Sequence, residues 1–254
     1  MEIRTFGDTR RQRECERRLR LERRAPLFER LILLPIPTSR DGVHVTTTDI
    51  FLDEVVREAD SGVLVAGYNI PEPYASLFID AGAHVFDAGL DERFLVENAI
   101  ITARGALGRI LCEFDRDVSE LRCAVVGYGR IGSRLARYLL FLGASLTVFT
   151  GRETLYRSLI FDGVDARLMK SSADLLDYDL IINTAPAPLI SEEVCRNLKN
   201  GAKIMDLASG SFVPSSPSVI KLSSVPDAMY PVTAGGLYAK YISEYLFYQG
   251  EEQA

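Results

Sequence analysis

Histidine, tryptophan and long apolar runs are scarce or absent, and their absence excludes several classes of protein. The 254 residues include two histidines and no tryptophan. The longest apolar runs, such as residues 31–34 and 139–142, are far shorter than the ~20 residues that a membrane helix needs. The arginine-rich start is interrupted by glutamates and lacks the apolar segment of a signal peptide. We therefore expect no association with a membrane.

Basic residues are also fewer than acidic residues. Lysine and arginine total 29 against 35 acidic residues, which gives a formal net charge of −6. This balance disfavours the broad positive field of a general nucleic-acid-binding protein. Apolar residues make up 47% and charged residues 25% of the chain, as in an ordinary globular protein.

The four cysteines lie far apart, at positions 15, 112, 123 and 195. They show neither metal-ligand spacing nor a disulfide framework. We predict that they are buried apolar residues of a reduced, cytoplasmic protein and that the chain has no metal site.

The first third of the chain alternates short strands and helices. Its pattern predicts strands over residues 1–6, 31–34, 62–67 and 84–86, and helices over 10–30, 53–59 and 73–81. The charged segment 10–30 is interpreted as a solvated helix face. A long helix over 97–114 follows, with apolar residues at three- and four-residue steps.

From residue 123 onward, the predicted strands and helices alternate more clearly. The pattern predicts strands over 123–126, 145–149, 166–169, 180–183 and 203–207, and helices over 133–142, 154–161, 172–175 and 191–198. A last helix is predicted over 234–248. Such alternation is typical of a parallel, doubly wound α/β sheet.

A glycine-rich turn, GYGRIG at residues 127–132, separates the first strand of this region from its helix. In that context the pattern predicts a dinucleotide-binding turn. Gly127 permits the tight turn, Gly129 lets a pyrophosphate approach the backbone, and Gly132 allows close packing of the helix. The helix N-terminus would then hold the negative charge.

The end of the second strand indicates the type of cofactor. NAD enzymes place an acidic residue there to bind the ribose 2′-hydroxyl group. This chain has Thr150, Gly151 and Arg152 instead, and an arginine can bind a 2′-phosphate in bidentate fashion. We predict NADP, with NAD as the alternative.

Two further strand ends, NTAP at 183–186 and DLAS at 206–209, point to the same crevice. In an open α/β sheet the ligand lies beyond the carboxyl ends of the strands. Small residues there would admit the nicotinamide ribose, and Asn183 or Ser209 could donate hydrogen bonds. The complete set of predicted cofactor-binding residues is Gly127, Tyr128, Gly129, Arg130, Ile131, Gly132, Thr150, Gly151, Arg152, Asn183, Thr184, Ala185, Pro186, Asp206, Ala208 and Ser209.

A linked series of motifs resembles the first subunit of dipicolinate synthase. The series comprises FGDTR at 6–10, LLPIP at 33–37, ENAIITARGA at 97–106, the glycine turn, INTAP at 182–186, DLAS at 206–209 and TAG at 233–235. The resemblance spans nearly the whole chain. It implies a flavodoxin-like N-terminal domain (1–96), an interdomain helix (97–118), a Rossmann domain (119–232) and a C-terminal helix (233–254) that returns to the first domain.

The resemblance also implies a function. It suggests NADP-linked formation of dipicolinate from a tetrahydrodipicolinate-type precursor, together with the flavoprotein-like second subunit of that synthase. The candidate substrate-binding residues lie in the loop after residue 37 and on the long helix, and no catalytic residue is predicted. These candidates are Thr38, Ser39, Arg40, Thr102 and Arg104.

The chain departs from the family pattern in several places. It is about twenty-five residues shorter before residue 31, so we expect the first domain to lack one βα unit. Ile101 and Arg104 replace a proline and an acidic residue, and residues 210–212 replace Pro-Gly-Gly.

Three other functions also use a dinucleotide-binding domain. D-2-hydroxyacid dehydrogenases need a histidine after the Rossmann sheet, and no histidine follows His84; the related adenosylhomocysteine hydrolases are considerably longer. A non-catalytic dinucleotide-binding regulatory or scaffold protein stays open, as does assembly into a homo-oligomer.

Overall fold

The computed structural model describes residues 1–22, 27–210 and 212–251, with side chains up to residue 246. These residues form two compact units. The first unit comprises the described residues within 1–98 and 226–251, and the second comprises those within 99–225. Each unit has its own parallel sheet.

Ten strands and nine α-helices are found in the described residues. The strands are β1 (Glu2–Thr5), β2 (Arg30–Leu33), β3 (Val63–Gly67), β4 (His84–Asp87), β5 (Arg122–Val126), β6 (Ser145–Thr150), β7 (Ala166–Leu168), β8 (Leu180–Asn183), β9 (Lys203–Asp206) and β10 (Val219–Lys221). The helices are α1 (Arg10–Leu19), α2 (Leu52–Val56), α3 (Tyr74–Asp80), α4 (Glu92–Leu111), α5 (Arg130–Phe141), α6 (Glu153–Phe161), α7 (Glu192–Asn197), α8 (Val225–Met229) and α9 (Pro231–Glu251).

The sheet of the second unit has the order β10-β9-β8-β5-β6-β7, with every pair parallel. This is the doubly wound order 3-2-1-4-5-6, read from the other edge. From β5, the strands β6 and β7 are added on one side of the sheet and the strands β8 to β10 on the other. Such folds bind their ligands at this switch point between β5 and β8. The predicted α/β fold class is confirmed.

Apolar side chains cover both faces of this second sheet. Ala103, Ala106 and Ile110 of α4 join the core on one face with residues of α5 and α6, such as Leu135 and Leu159. The opposite face is covered by a second cluster that includes Phe149, Tyr178 and Val194. Strands buried on both faces are typical of parallel sheets.

The sheet of the first unit has the order β1-β2-β3-β4, again all parallel. A flavodoxin-like sheet has the order 2-1-3-4-5, and removing its second strand leaves the order seen here. This order agrees with the loss of one βα unit, which stays a prediction. The C-terminal helix α9 packs against α1 within this unit.

Several predicted boundaries are wrong. Helix α1 ends at Leu19 rather than at residue 30, because Arg30 begins β2 and pairs with Glu2 of β1; part of the predicted helix, residues 23–26, lies outside the described residues. Helix α4 begins at Glu92 rather than at 97, because the carboxylate of Asp91 accepts the N–H groups of Arg93 and Phe94.

Other differences concern short elements. The predicted helix at 172–175 is a 3-10 segment. Strand β10, helix α8 and the 3-10 segment Val118–Glu120 were not predicted. Cys112 is exposed at the end of α4, whereas the other three cysteines are buried as expected. None of the described helices is long and apolar enough to cross a membrane.

Candidate functional site

The glycine turn between β5 and α5 is closed by close backbone contacts. Gly127 has a φ of +89°, which favours glycine, and its N–H donates to the carbonyl oxygen of Phe149 at 2.9 Å. A Cβ atom on Gly127 would lie 2.9 Å from Oγ1 of Thr184. The hydroxyl group of Thr184 in turn donates to the carbonyl oxygens of Val126 and Gly127, at 3.1 and 3.3 Å. The end of β8 therefore holds the turn in place.

Gly132 allows α5 to approach the turn closely. A Cβ atom at this position would lie 2.5 Å from the carbonyl oxygen of Gly127 and 2.8 Å from Oγ1 of Thr184. Neither contact is compatible with a methyl group at van der Waals distance. The predicted packing role of Gly132 thus has a direct structural basis.

Gly129 differs from its two partners because nothing lies within 4 Å of a Cβ atom built on it. It is the N-cap of α5, it supplies no side-chain cap, and the first turn of α5 has no acidic residue. The N-terminus of α5 therefore combines backbone N–H donors, the positive end of the helix dipole and open space for a ligand. These properties fit the pyrophosphate of a dinucleotide.

The other residues of the turn have different environments. Tyr128 and Ile131 are half-buried and pack against the core of the second unit. Arg130 is exposed at the start of α5. Backbone groups of Arg130 and Ile131, rather than the apolar side chains, are suited to contact an anion.

The end of β6 presents an arginine to solvent. Thr150 is buried, and its Oγ1 accepts the N–H of Arg152 at 3.2 Å, so this threonine shapes the loop. Gly151 leaves open space on its Cβ side. Arg152 is exposed. Its neighbour Glu153 does not neutralise it, because the Glu153 carboxylate accepts Nε of Arg157 at 3.0 Å.

The ends of β8 and β9 are tied together by buried polar side chains. Asn183 and Asp206 are each 1% exposed, and Nδ2 of Asn183 donates to Oδ1 of Asp206 at 2.9 Å. The N–H of Ala185 donates to Oδ1 of Asn183, and the N–H of Ala208 donates to Oδ1 of Asp206. Asn183 thus orients the two turns and its amide is committed within the protein. Ser209, which is exposed, is the better candidate for a hydrogen bond to a ligand.

Pro186 is exposed and Ala185 is half-buried beside the glycine turn. The side chains after β8 are therefore small or peripheral, as the predicted passage of a nicotinamide ribose requires. The structure brings the predicted cofactor residues of the second unit to the carboxyl ends of β5, β6, β8 and β9.

Three predicted substrate residues lie in the loop after β2 in the first unit. Thr38 is fully buried, and its Oγ1 accepts the N–H of Tyr68 at 2.9 Å. The hydroxyl group of Ser39 donates to Asp41 and accepts the N–H of Gly42. Thr38 and Ser39 therefore fix the loop, whereas Arg40 is exposed.

The same loop holds a histidine paired with an acid. Nδ1 of His44 lies 2.7 Å from Oδ2 of Asp41, and backbone N–H groups of His44 and Val43 also donate to Asp41. These hydrogen bonds, led by that of the His44 backbone, lower the pKa of Asp41.

The two other predicted substrate residues lie on α4, in the second unit. Thr102 is 8% exposed and therefore buried, whereas Arg104 is exposed. Arg104 is accessible to an anion, whereas most of Thr102 is withdrawn from solvent.

Arg11 is a buried cation that the sequence analysis missed. It was assigned to a solvated helix face, yet it is 3% exposed. Its guanidinium donates to Oδ1 of Asn98 at 3.1 Å and lies 5.5 Å from the ring centre of Phe94. Burial lowers the pKa of Arg11 to about 10. Nothing in the sequence distinguishes this arginine from its exposed neighbours on α1.

Part of the chain matches a known protein family. Residues 116–211 match a family of proteins described as "Putative NAD(P)-binding". The match covers β5, the glycine turn and the strand ends described above. Residues 116–211 thus form a Rossmann-type domain that is similar to NAD(P)-binding proteins.

Two proteins of known name are similar to this chain in sequence. The chain is 28% identical over 163 residues to the first subunit of dipicolinate synthase of Bacillus subtilis (strain 168), an alignment that covers 59% of this chain and 54% of that protein. It is 30% identical over 103 residues to alanine dehydrogenase of Staphylococcus saprophyticus, covering 36% of this chain and 28% of the other. The chain thus spans about half of the first relative and less of the second.

A solved structure extends the likeness. The crystal structure of the same synthase subunit from Bacillus halodurans matches with a TM-score of 0.79 at 20% identity, covering 96% of this chain and 97% of the other. At this identity the match establishes the fold alone. The chain resembles the first subunit of dipicolinate synthase, as the sequence motifs indicated.

Proposed function

We propose that this chain is an NADP-dependent oxidoreductase of the same type as the first subunit of dipicolinate synthase. It would form pyridine-2,6-dicarboxylate from a tetrahydrodipicolinate-type precursor. The open space at Gly129, at the uncapped N-terminus of α5, carries the proposal because it fits a dinucleotide pyrophosphate. The sequence likeness to dipicolinate synthase supports the choice of substrate.

NADP is preferred to NAD on electrostatic grounds. Residues 150–152 at the end of β6 include no acidic residue to repel a 2′-phosphate, and Arg152 is exposed there. The guanidinium group can bind a phosphate through two parallel hydrogen bonds. The engagement of Glu153 by Arg157 leaves the charge of Arg152 uncompensated by that neighbour.

The residues of the second unit would hold the cofactor in a defined orientation. Backbone N–H groups at the start of α5 bind the pyrophosphate, and Thr184 holds the glycine turn against β8. The Asn183–Asp206 pair fixes the turns that border the nicotinamide ribose. Bound NADP would supply the acceptor for hydride removed from the substrate ring. Forming the pyridine from a tetrahydro ring releases two hydrides and two protons to two NADP and solvent, or one hydride, one proton and one water where the ring carries a hydroxyl group. The protein supplies binding and orientation.

A dicarboxylate substrate requires positively charged groups, since an unpaired carboxylate in a partly dry site is costly. Arg104 is an exposed cation on α4 of the second unit, and we propose that it binds a carboxylate. Arg104 also stands where the dipicolinate synthase pattern has an acidic residue. A flavoprotein-like partner, akin to the second subunit of that synthase, and a cytoplasmic location complete the proposal.

Isothermal titration of dipicolinate into the protein, with NADPH saturating, tests the substrate. We expect the wild type to bind the dicarboxylate and Arg104→Glu to bind it at least about tenfold more weakly, the cost of one charge-assisted hydrogen bond. Arg109→Glu is the matched control, because Arg109 is an exposed arginine on the same helix. Unchanged affinity in Arg104→Glu would remove Arg104 from the site.

A non-catalytic regulatory or scaffold protein is the alternative function. The buried environment of Thr38 and Thr102 favours it, because both predicted substrate-binding hydroxyl groups are withdrawn from solvent. Binding of NADPH without any binding of dicarboxylate, even with a flavoprotein partner present, would establish this alternative over catalysis.

A further inference from the structure

Two exposed cations follow neighbouring strands at the carboxyl edge of the second unit's sheet. Arg152 follows β6, and Lys170 follows β7. The formal charge of the whole chain is −6. The two positive side chains at this edge therefore do not belong to a surface that is basic throughout. Lys170 belongs to none of the motifs that the sequence analysis assigned.

The strand register places these two residues after equivalent positions of neighbouring strands. β6 and β7 are parallel, with Thr150 opposite Leu168, and the N–H of Met169 donates to the carbonyl oxygen of Thr150 at 3.0 Å. Neighbouring strands lie about 4.8 Å apart. Arg152 and Lys170 each lie two residues beyond this last pair. Their long side chains can therefore reach one common anion.

The acidic residues nearby are engaged elsewhere. Glu153 is bound by Arg157, and the carboxylate of Asp174 accepts the N–H of Ser171 at 3.4 Å in a capping box. Within the described ranges, neither Arg152 nor Lys170 has an ion-pair partner. The two positive charges are thus left to act together on a ligand.

The serines that follow Lys170 have hydrogen-bond partners within the protein. Oγ of Ser171 accepts the N–H of Ala173 at 3.1 Å, and the hydroxyl group of Ser172 donates to Oγ of Ser191 at 3.0 Å. Among the residues directly after β7, Lys170 is the one that carries a positive charge.

We propose that Lys170 and Arg152 together bind the 2′-phosphate of NADP, so that the ends of β6 and β7 jointly set the cofactor specificity. This inference rests on the proposed function. A phosphate monoester carries nearly two negative charges and three strong acceptor oxygens. Arg152 can engage two of them through its planar fork, while Lys170 contributes a compact point charge. A ribose 2′-hydroxyl group offers neither partner such an anion.

The test is calorimetric titration of NADPH and NADH into the wild type, Lys170→Ala, Lys170→Arg, Arg152→Ala and the double alanine variant. Lys170→Ala should weaken NADPH binding about tenfold, as expected for one charge-assisted hydrogen bond, and leave NADH binding unchanged. Lys170→Arg should restore most of the affinity. The double variant should bind NADPH and NADH equally well.

Lys203→Ala is the matched control. Lys203 begins β9, at the amino ends of the same parallel strands, so the variant removes an equal charge from the opposite edge of the sheet. It should leave both affinities unchanged. A loss of NADPH affinity equal to that of Lys170→Ala would show that net charge, rather than position, is responsible.

The outcomes separate this inference from the proposed function. If the wild type prefers NADPH and Lys170→Ala keeps that preference, the role of Lys170 is refuted while NADP dependence stands. If the wild type prefers NADH, the 2′-phosphate site is refuted as well. If the wild type binds neither dinucleotide, both the inference and the proposed function fail.

Discussion

Replacing Gly129 with alanine should separate dinucleotide binding from folding. Nothing lies within 4 Å of the added Cβ atom, and the backbone at Gly129 has a φ of −83°, which alanine adopts without strain. Alanine is a poorer N-cap than glycine, but it lowers the entropy of the unfolded chain. These effects oppose each other, so the free energy of unfolding should change by less than about 1 kcal/mol.

Binding should respond very differently. The methyl group would occupy the space in which a pyrophosphate approaches the N–H groups of α5. Each hydrogen bond to a charged group contributes about 1.5–3 kcal/mol, so the loss of even one weakens binding about ten- to a hundredfold. Urea unfolding and NADPH titration of Gly129→Ala measure the two quantities on the same preparation.

Gly132→Ala is the informative comparison. Its Cβ atom would lie 2.5 Å from the carbonyl oxygen of Gly127, and overpacking of this kind costs about 1–3 kcal/mol. This variant should therefore lose stability and dinucleotide affinity together. If Gly129→Ala binds NADPH as tightly as the wild type, the assignment of the open space to a pyrophosphate is wrong.

Two further predictions concern the first unit. A side-chain hydrogen bond from Arg17, together with one from Arg18, lowers the pKa of Glu14 from 4.5 to about 2. Glu14 therefore stabilises the fold above pH 4.5 and loses this contribution as the pH falls through 2. Glu14→Gln should be less stable than the wild type near pH 7, and the difference should shrink in urea titrations below pH 4; a constant difference would contradict this linkage. Gly235→Ala should lose about 1–3 kcal/mol, because its Cβ atom would lie 2.5 Å from the carbonyl oxygen of Arg11. Gly236→Ala meets the flexible end of Arg18 instead and should unfold thermally near the wild-type temperature; equal losses in both variants would refute the packing argument.

The second unit was predictable because its local signals agree with one another. The buried strand ending at Val126, the glycine turn and the following helix are each recognisable, and the right-handedness of βαβ units leaves only a few sheet orders to consider. The structure places β8 where the sequence predicted a strand over residues 180–183. Short edge elements such as β10 carry three residues and give no periodic signal of their own.

The boundaries of the first unit depend on interactions between distant residues. The end of α1 could not be predicted from composition, because the arginines continue past Leu19 and only the pairing of Arg30 with Glu2 fixes the start of β2. Burial of Arg11 likewise depends on Asn98 and Phe94, which are more than eighty residues away.

For residues of the candidate site, the sequence predicted the position in the fold better than the role of the side chain. Asn183 lies at the expected strand end, but its amide binds Asp206 and Ala185. Thr38 lies in the expected loop, but it is buried against the Tyr68 backbone. A hydrogen-bonding side chain identified from sequence has partners that only the fold determines. Lys170 is a residue for which the sequence predicted no role. Its position beside Arg152 in the strand order follows from the register of β6 and β7.

The most direct test of the proposed function is the reaction itself. The purified chain, together with a flavoprotein-like partner, would be supplied with NADP and a tetrahydrodipicolinate-type precursor while NADPH and pyridine dicarboxylate absorbance are followed together. We predict that NADPH and dipicolinate appear in a fixed ratio. Gly129→Ala should remain folded and should slow both signals about ten- to a hundredfold when NADP is supplied below the dissociation constant of the wild type. Formation of dipicolinate at an unchanged rate by Gly129→Ala, or the absence of any NADPH with the wild type, would contradict the proposed function.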